Sequence, residues 1–251
     1  MKDEKVKKLT NKPDPAIGSK KVYQKKNKNP RTDYWYCEIE NRYKRHEFMF
    51  LDFSDLTPED LLYYHNGIKR KFKTANQRRL RDAILNALNN KPESDFVWIQ
   101  VCEPTINKYG DIVYNPEQKI TRAHKVYEWE EVANNYLPEN GSQLATTTIY
   151  YLLLLRWLKD GWVNIKTLAD NSSPIGRYRN SKHLKKEFAG LKNFVGDTTK
   201  IVKDPNSKSG FSLMGGTRKD SGFMYPVSSV YHVKDADDTF ELSVGLIILQ
   251  K

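Results

Sequence analysis

Most of the charge in this chain sits in a stretch that cannot build a core. Residues 1–31 hold eleven lysines and arginines against Asp3, Glu4 and Asp14. That segment therefore carries +8 of the formal +11, and the other 220 residues share +3. Val6, Leu9, Ala16, Ile17, Val22 and Tyr23 offer little apolar surface among Lys, Asn, Pro and Gly. A segment of this kind cannot offset its own ordering entropy, so residues 1–31 read as a disordered basic arm that orders on a partner. A cationic tail before a nearly balanced body is a footprint of polyanion binding.

The rest of the chain is long enough for one large domain or two small ones. It is rich in aromatic residues, with fifteen Tyr and five Trp, where a disordered protein would be depleted. Cys37 and Cys102 are the only cysteines, too few for a zinc site or a disulfide framework, and a reducing compartment is expected. No apolar N-terminal segment of the secretory type is present. The longest strongly apolar run, Ile149 to Leu155, is far below the ~20 residues that span a bilayer. A soluble protein without membrane contact is expected, cytoplasmic or associated with nucleic acid.

Order is expected from Tyr34. Tyr34 to Glu40 and Glu47 to Phe53 have strand composition around a polar turn and predict a hairpin, with Trp35, Cys37 and Ile39 on one face. Thr57-Pro58-Glu59-Asp60 is a helix start, and Leu61, Leu62, Tyr64, Ile68 and Phe72 continue a helical stripe that Gly67 threatens. A second helix over Asn76 to Asn89 places Leu80, Ile84, Leu85 and Leu88 together. Phe96 to Val101 predicts a buried strand, and Ile112 to Tyr114 and Ile120 to Tyr127 further strands. The fold class is α+β. Residues 32–138 form an α+β domain, and the turn-rich Leu137 to Gly141 marks its boundary.

Beyond that boundary, Ser142 caps a helix that runs to Lys159 and stops at Gly161. Trp162 to Ile165 is extended, and Thr167 to Asn171 forms at most a helical turn. A helix follows over Lys182 to Phe194, then paired strands at Lys200 to Lys203 and Phe211 to Met214 around a polar loop. In this order of elements, residues 142–214 resemble a winged helix-turn-helix domain. The resemblance implies DNA in preference to RNA, a reading helix that exposes Lys182, Lys185 and Lys186, and a wing that presents Lys203 and Lys208. Ser172 to Tyr178, with Pro174 and Gly176, is longer than the tight turn of that family. Residues 215–251 form a C-terminal β segment.

Two cationic clusters stand out. Lys69, Arg70, Lys71, Lys73, Arg78, Arg79 and Arg81 occur in a stretch without one acid. Such a run suits a phosphate backbone. Arg177, Tyr178, Arg179, Lys182, His183, Lys185 and Lys186 form the other, in which a tyrosine between arginines suits stacking beside phosphate pairing. Candidates for chemistry are weaker. Asp111, Glu117 and Lys119 loosely follow the Asp…Glu-x-Lys core of a nuclease superfamily that uses a divalent metal, and Glu38, Glu40, Asp95 and Glu103 are further carboxylates. The five histidines lack metal-ligand spacing. Gly215-Gly216-Thr217-Arg218-Lys219 lacks the phosphate-loop pattern, and Asp235 to Asp238 lacks the EF-hand loop.

These features predict a nucleic-acid-binding protein, non-catalytic and without cofactor or metal, acting as a monomer or dimer on a discrete site. A viral or phage coat or nucleocapsid-like protein, a homo-oligomer packaging nucleic acid inside a virion, is the second reading. A metal-dependent nuclease is the third.

Overall fold

Strands that carry apolar side chains on both faces need covering on both sides, and the central sheet of this protein is built that way. The computed structural model describes residues 12–14, 16, 18–19, 21–25, 34–40, 45–101, 105–106, 112–113, 124–170, 187–188, 191–192, 199–215, 228–240 and 243–249. In chain order the elements are β1 (Lys21–Gln24), β2 (Trp35–Glu40), β3 (Arg45–Asp52), α1 (Pro58–Leu62), α2 (Ala75–Asn89), β4 (Phe96–Gln100), β5 (Thr105–Ile106), β6 (Ile112–Val113), β7 (His124–Lys125), α3 (Val126–Tyr136) and β8 (Ser142–Leu144). They continue with α4 (Thr147–Lys159), α5 (Ile165–Asp170), β9 (Glu187–Phe188), β10 (Leu191–Lys192), β11 (Thr199–Lys203), β12 (Phe211–Met214), β13 (Val230–His232), β14 (Thr239–Phe240), β15 (Ser243–Gly245) and β16 (Ile247–Leu249). The protein is α+β, as expected.

The main sheet has the order β1-β2-β3-β4-β16-β8. The expected hairpin is β2 with β3, antiparallel, with Cys37 opposite Phe48. The last strand, β16, enters between β4 and β8, antiparallel to both. Side chains alternate along each strand and so sort into two cores. Met49, Leu51, Val97, Ile99 and Ile248 join Leu61, Leu80, Ile84, Leu152 and Leu168 of the helices α1, α2, α4 and α5. Phe48, Trp98, Ile247 and Leu249 join Val126, Trp129 and Ala133 of α3, with Ile201 and Leu213 from a second sheet of order β13-β12-β11-β15. Tyr36, on the face opposite Cys37 and Ile39, is buried too, while Glu40 farther along that face is exposed. Helix α4 is apolar nearly all round, as befits a helix covered on all sides.

Several expectations are corrected. The basic arm does not extend to residue 31 as disorder. Lys21–Gln24 is an edge strand paired with β2, Tyr23 stacks on Tyr36 at 6.0 Å, and Ala16 is buried. Val22 and Tyr23 find apolar partners on a preformed strand, which is enough to order a short segment. Ser142 does not cap a helix. Its hydroxyl accepts the Leu137 N–H at 2.8 Å, while Thr146 caps α4 by accepting the Ile149 N–H at 3.3 Å. Leu137 to Gly141 does not separate two cores, because strands from both sides of it share the main sheet. Of the expected strand Ile120 to Tyr127, only His124–Lys125 is strand among the described residues. It pairs with β14, and helix begins at Val126, where Glu128 accepts the Lys125 N–H at 2.9 Å. β5 and β6 pair with each other and not with the main sheet.

Within residues 142–214 two elements differ from the expectation. Ile165–Asp170 is a helix, started by Asn164, whose side chain accepts the Thr167 N–H at 2.9 Å. Where a reading helix was expected over Lys182 to Phe194, the described residues Glu187–Phe188 and Leu191–Lys192 are an antiparallel strand pair. Gly190 lies between them in the sequence, a turn residue and a poor helix residue. The strand pair read as a wing is present as β11 and β12. Among the described residues no helix is long and apolar enough to cross a membrane.

Candidate nucleic-acid interface

Helix α1 starts as its sequence predicts. The Asp60 carboxylate accepts the Thr57 N–H at 2.9 Å, and Pro58 occupies the first turn. It stops at Leu62, much earlier than the apolar stripe suggests. The chain turns back on itself instead. Arg70 N–H donates to the Leu62 carbonyl at 2.7 Å, Tyr63 bridges Lys69, and Tyr64 N–H donates to Ile68 at 2.9 Å. Gly67 N–H closes the tip on the Tyr64 carbonyl at 2.8 Å, with Gly67 at φ 77°. This is a three-residue hairpin loop, His65-Asn66-Gly67, with the left-handed position filled by the residue that adopts it at least cost. The Asn66-Gly67 pair is a stronger local signal than the helical spacing of Tyr64 and Ile68. Those two side chains are consequently 46% and 60% exposed.

Arg70 holds this hairpin to the body. It is only 7% exposed, its Nε donates to the Tyr63 carbonyl at 2.9 Å, and its guanidinium lies 4.5 Å from the centre of the Tyr64 ring. Burial lowers its pKa, against the smaller raising influence of Tyr64 and Asp60. Arg70 is thus a supporting residue and not the exposed phosphate contact expected. Arg81 is likewise engaged: its Nε donates to Asp82 at 2.7 Å and its guanidinium lies 5.5 Å from the centre of the Phe72 ring. Arg78 is exposed and donates to the Lys73 carbonyl at 2.9 Å.

Lys69, Lys71, Lys73 and Arg79 are exposed. None of the four has an ion-pair partner among the described residues. With Arg78 they form a cationic surface that runs from the hairpin into the first turns of α2. The start of α2 is itself occupied. Thr74 accepts the Gln77 N–H at 3.1 Å and donates to Asp170 at 2.6 Å, and the Gln77 amide donates to the same carboxylate. An internal carboxylate from α5 therefore takes the place a phosphate would occupy at this helix end. Anion contacts on this surface fall to the side chains.

The second cluster, Arg177, Tyr178, Arg179, Lys182, Lys185 and Lys186, lies outside the described residues, as do Asp111, Glu117, Lys119 and Glu103. Among the described residues no group of three or more His, Cys, Asp or Glu side chains could hold a metal ion. On the wing-like pair, Lys208 is exposed but Lys203 pairs with Glu130 at 2.5 Å.

One polar group was not singled out in the sequence. Asp204, 2% exposed, accepts from the Ser212 hydroxyl at 2.5 Å, from the Asn206 N–H at 3.0 Å, and lies 3.0 Å from His232 Nδ1. The residue types are those of a serine hydrolase. The geometry is not, because buried Ser212 donates straight to the carboxylate, and His232 meets both groups through the same Nδ1, 3.0 Å from each, and so does not relay between them. Asp204 instead braces the turn between β11 and β12, where its N–H donates to the Gly210 carbonyl at 2.8 Å. His46 is buried against Tyr136 of α3.

No protein-family model matches the chain, and no curated protein or solved structure matches it either.

Proposed function

We propose that the protein binds nucleic acid through the cationic surface formed by the Tyr63–Arg70 hairpin, the segment that links it to α2, and the first turns of α2. The observation that carries this reading is the exposure of Lys69, Lys71, Lys73 and Arg79 without acidic partners among the described residues, beside exposed Tyr63 and Tyr64. A folded protein that keeps charges of one sign together in this way bears their mutual repulsion, and a polyanion relieves it. Each ammonium or guanidinium that meets a phosphate releases a condensed counterion, so binding by such a surface is steeply salt-dependent. The lysines of residues 1–12 and the cluster Arg177, Tyr178, Arg179, Lys182, Lys185 and Lys186 would add further affinity through their charge. The proposal rests on the hairpin and α2 and needs no winged helix.

The test is a titration of the full chain with fluorescent duplex DNA, single-stranded DNA and RNA at several salt concentrations. Binding to at least one of them, weakening steeply as salt rises, is the expected outcome. No binding to any at moderate salt would overturn the proposal.

A further inference from the structure

We propose that the hairpin tip engages unpaired nucleotides, stacking a base on Tyr64 while Lys69, Lys71 and Lys73 hold the adjoining phosphates. This inference rests on the reading of the surrounding surface as a nucleic-acid interface and names the form of nucleic acid it takes.

Three observations carry it. Three main-chain donors at the tip are already used: Tyr64 N–H on Ile68, Gly67 N–H on Tyr64, and Ile68 N–H on the Asn66 side chain at 3.2 Å. The tip therefore has none of these N–H groups to offer a phosphate. What it presents is an aromatic ring, a second tyrosine and an isoleucine, all exposed. Lastly, the Tyr64 ring is held from one side, with the Arg70 guanidinium 4.5 Å from its centre and Arg70 itself anchored by the Tyr63 carbonyl. A ring supported on one face is preorganised to receive a flat partner on the other, and little side-chain entropy remains to be lost. In a duplex the faces of the bases are stacked on each other and unavailable. In a single strand every base has a free face, so an aromatic platform flanked by cations favours the unpaired form with little regard to sequence.

The experiment compares an oligothymidylate with a duplex of matched length, using the full chain and the variants Tyr64→Leu, Tyr64→Phe and a Lys69→Ala, Lys71→Ala, Lys73→Ala triple. Melting temperatures are taken alongside. Tyr64→Leu is expected to weaken oligothymidylate binding about 5- to 100-fold, in keeping with the loss of one stacked base. It should change duplex affinity less than about twofold, and Tyr64→Phe, which keeps the ring, should bind like the parent. The triple variant should weaken both ligands and flatten both salt dependences. If Tyr64→Leu leaves oligothymidylate binding intact, or weakens both ligands equally, or if Tyr64→Phe fails as badly as Tyr64→Leu, the stacking inference is overturned while the cationic interface stands. If the parent chain binds neither ligand, the interface itself is overturned.

Discussion

Replacing Arg156 by alanine should be among the most damaging single changes in the folded body. The guanidinium lies on α4 with its side chain 6% exposed, paired with Asp55, 3.5 Å from Asp160, and donating to the Asp52 carbonyl at 2.7 Å. It fastens α4 to the turn that leaves β3. Asp160 is nearly as buried and also accepts the Tyr34 hydroxyl at 2.8 Å. Burial pushes the Asp160 carboxyl above its ordinary value even with Arg156 and Tyr34 opposing the shift. Removing the cation strands that carboxylate in the interior, and breaking a buried pair from one side costs about 3–5 kcal/mol. Domains of this kind have about 5–15 kcal/mol in total. At about 2–4 °C per kcal/mol for a chain of this length, the melting temperature should fall by roughly 6–20 °C. Urea denaturation followed by circular dichroism gives the free energy directly. The double variant Arg156→Ala, Asp160→Asn should recover part of the loss, because the stranded group no longer carries charge while its oxygen can still accept from Tyr34. A cost below about 1 kcal/mol, the level of a surface ion pair, or a double variant no more stable than Arg156→Ala, would refute the reasoning.

Two further outcomes follow from the same physics. Burial raises the Asp55 carboxyl, but Arg156 and Lys159 outweigh it and hold it below the ordinary value. Its stabilising contribution is therefore complete above about pH 4, the unfolded value, and is lost as pH falls through the lower folded value. Asp55→Asn should flatten the acid limb of a urea-midpoint profile, and an unchanged limb would count against the pair. The Cys37 thiol is pushed up to about 12, chiefly by burial, and accordingly has almost no thiolate near pH 8. Peptide mapping after iodoacetamide treatment should find Cys37 unmodified in the native protein and modified in urea, and rapid native labelling would contradict its placement.

Local chemistry made some of this fold legible and non-local pairing hid the rest. The β2–β3 hairpin, the Thr57-Pro58 helix start and the Leu80-Ile84 stripe of α2 are short-range patterns, and all three are present. Helix α3 had a signal that was overlooked: Val126, Trp129, Ala133 and Tyr136 are spaced for one buried helix face. β-Branched and aromatic residues at its start favoured a strand reading. No local pattern announces that β16 enters the main sheet between β4 and β8, because that partnership joins residues far apart in the chain.

The interface divides in the same way. Its cationic composition was plain, but a count of lysines and arginines does not say which are spent internally. Arg70 supports a tyrosine that the hairpin brings to it, and Arg81 pairs with Asp82, the acid that directly follows the cationic stretch. The exposed tip was readable from Asn66-Gly67, a turn signal that helical periodicity overrode. Residues 1–31 show the opposite error. Removing all of them would take away β1 and would not test a loose tail alone.

The central claim is that Lys69, Lys71, Lys73 and Arg79 contact phosphates. The most direct measurement is the slope of log affinity against log salt for the full chain and for a variant with all four changed to alanine. Each lost phosphate contact should flatten the slope by about 0.7 on a single strand and about 0.9 on a duplex, so a total change of roughly 2 to 4 is predicted, with an unaltered melting temperature. A variant that keeps the parent slope would show that these four cations do not meet the ligand, and would contradict the account.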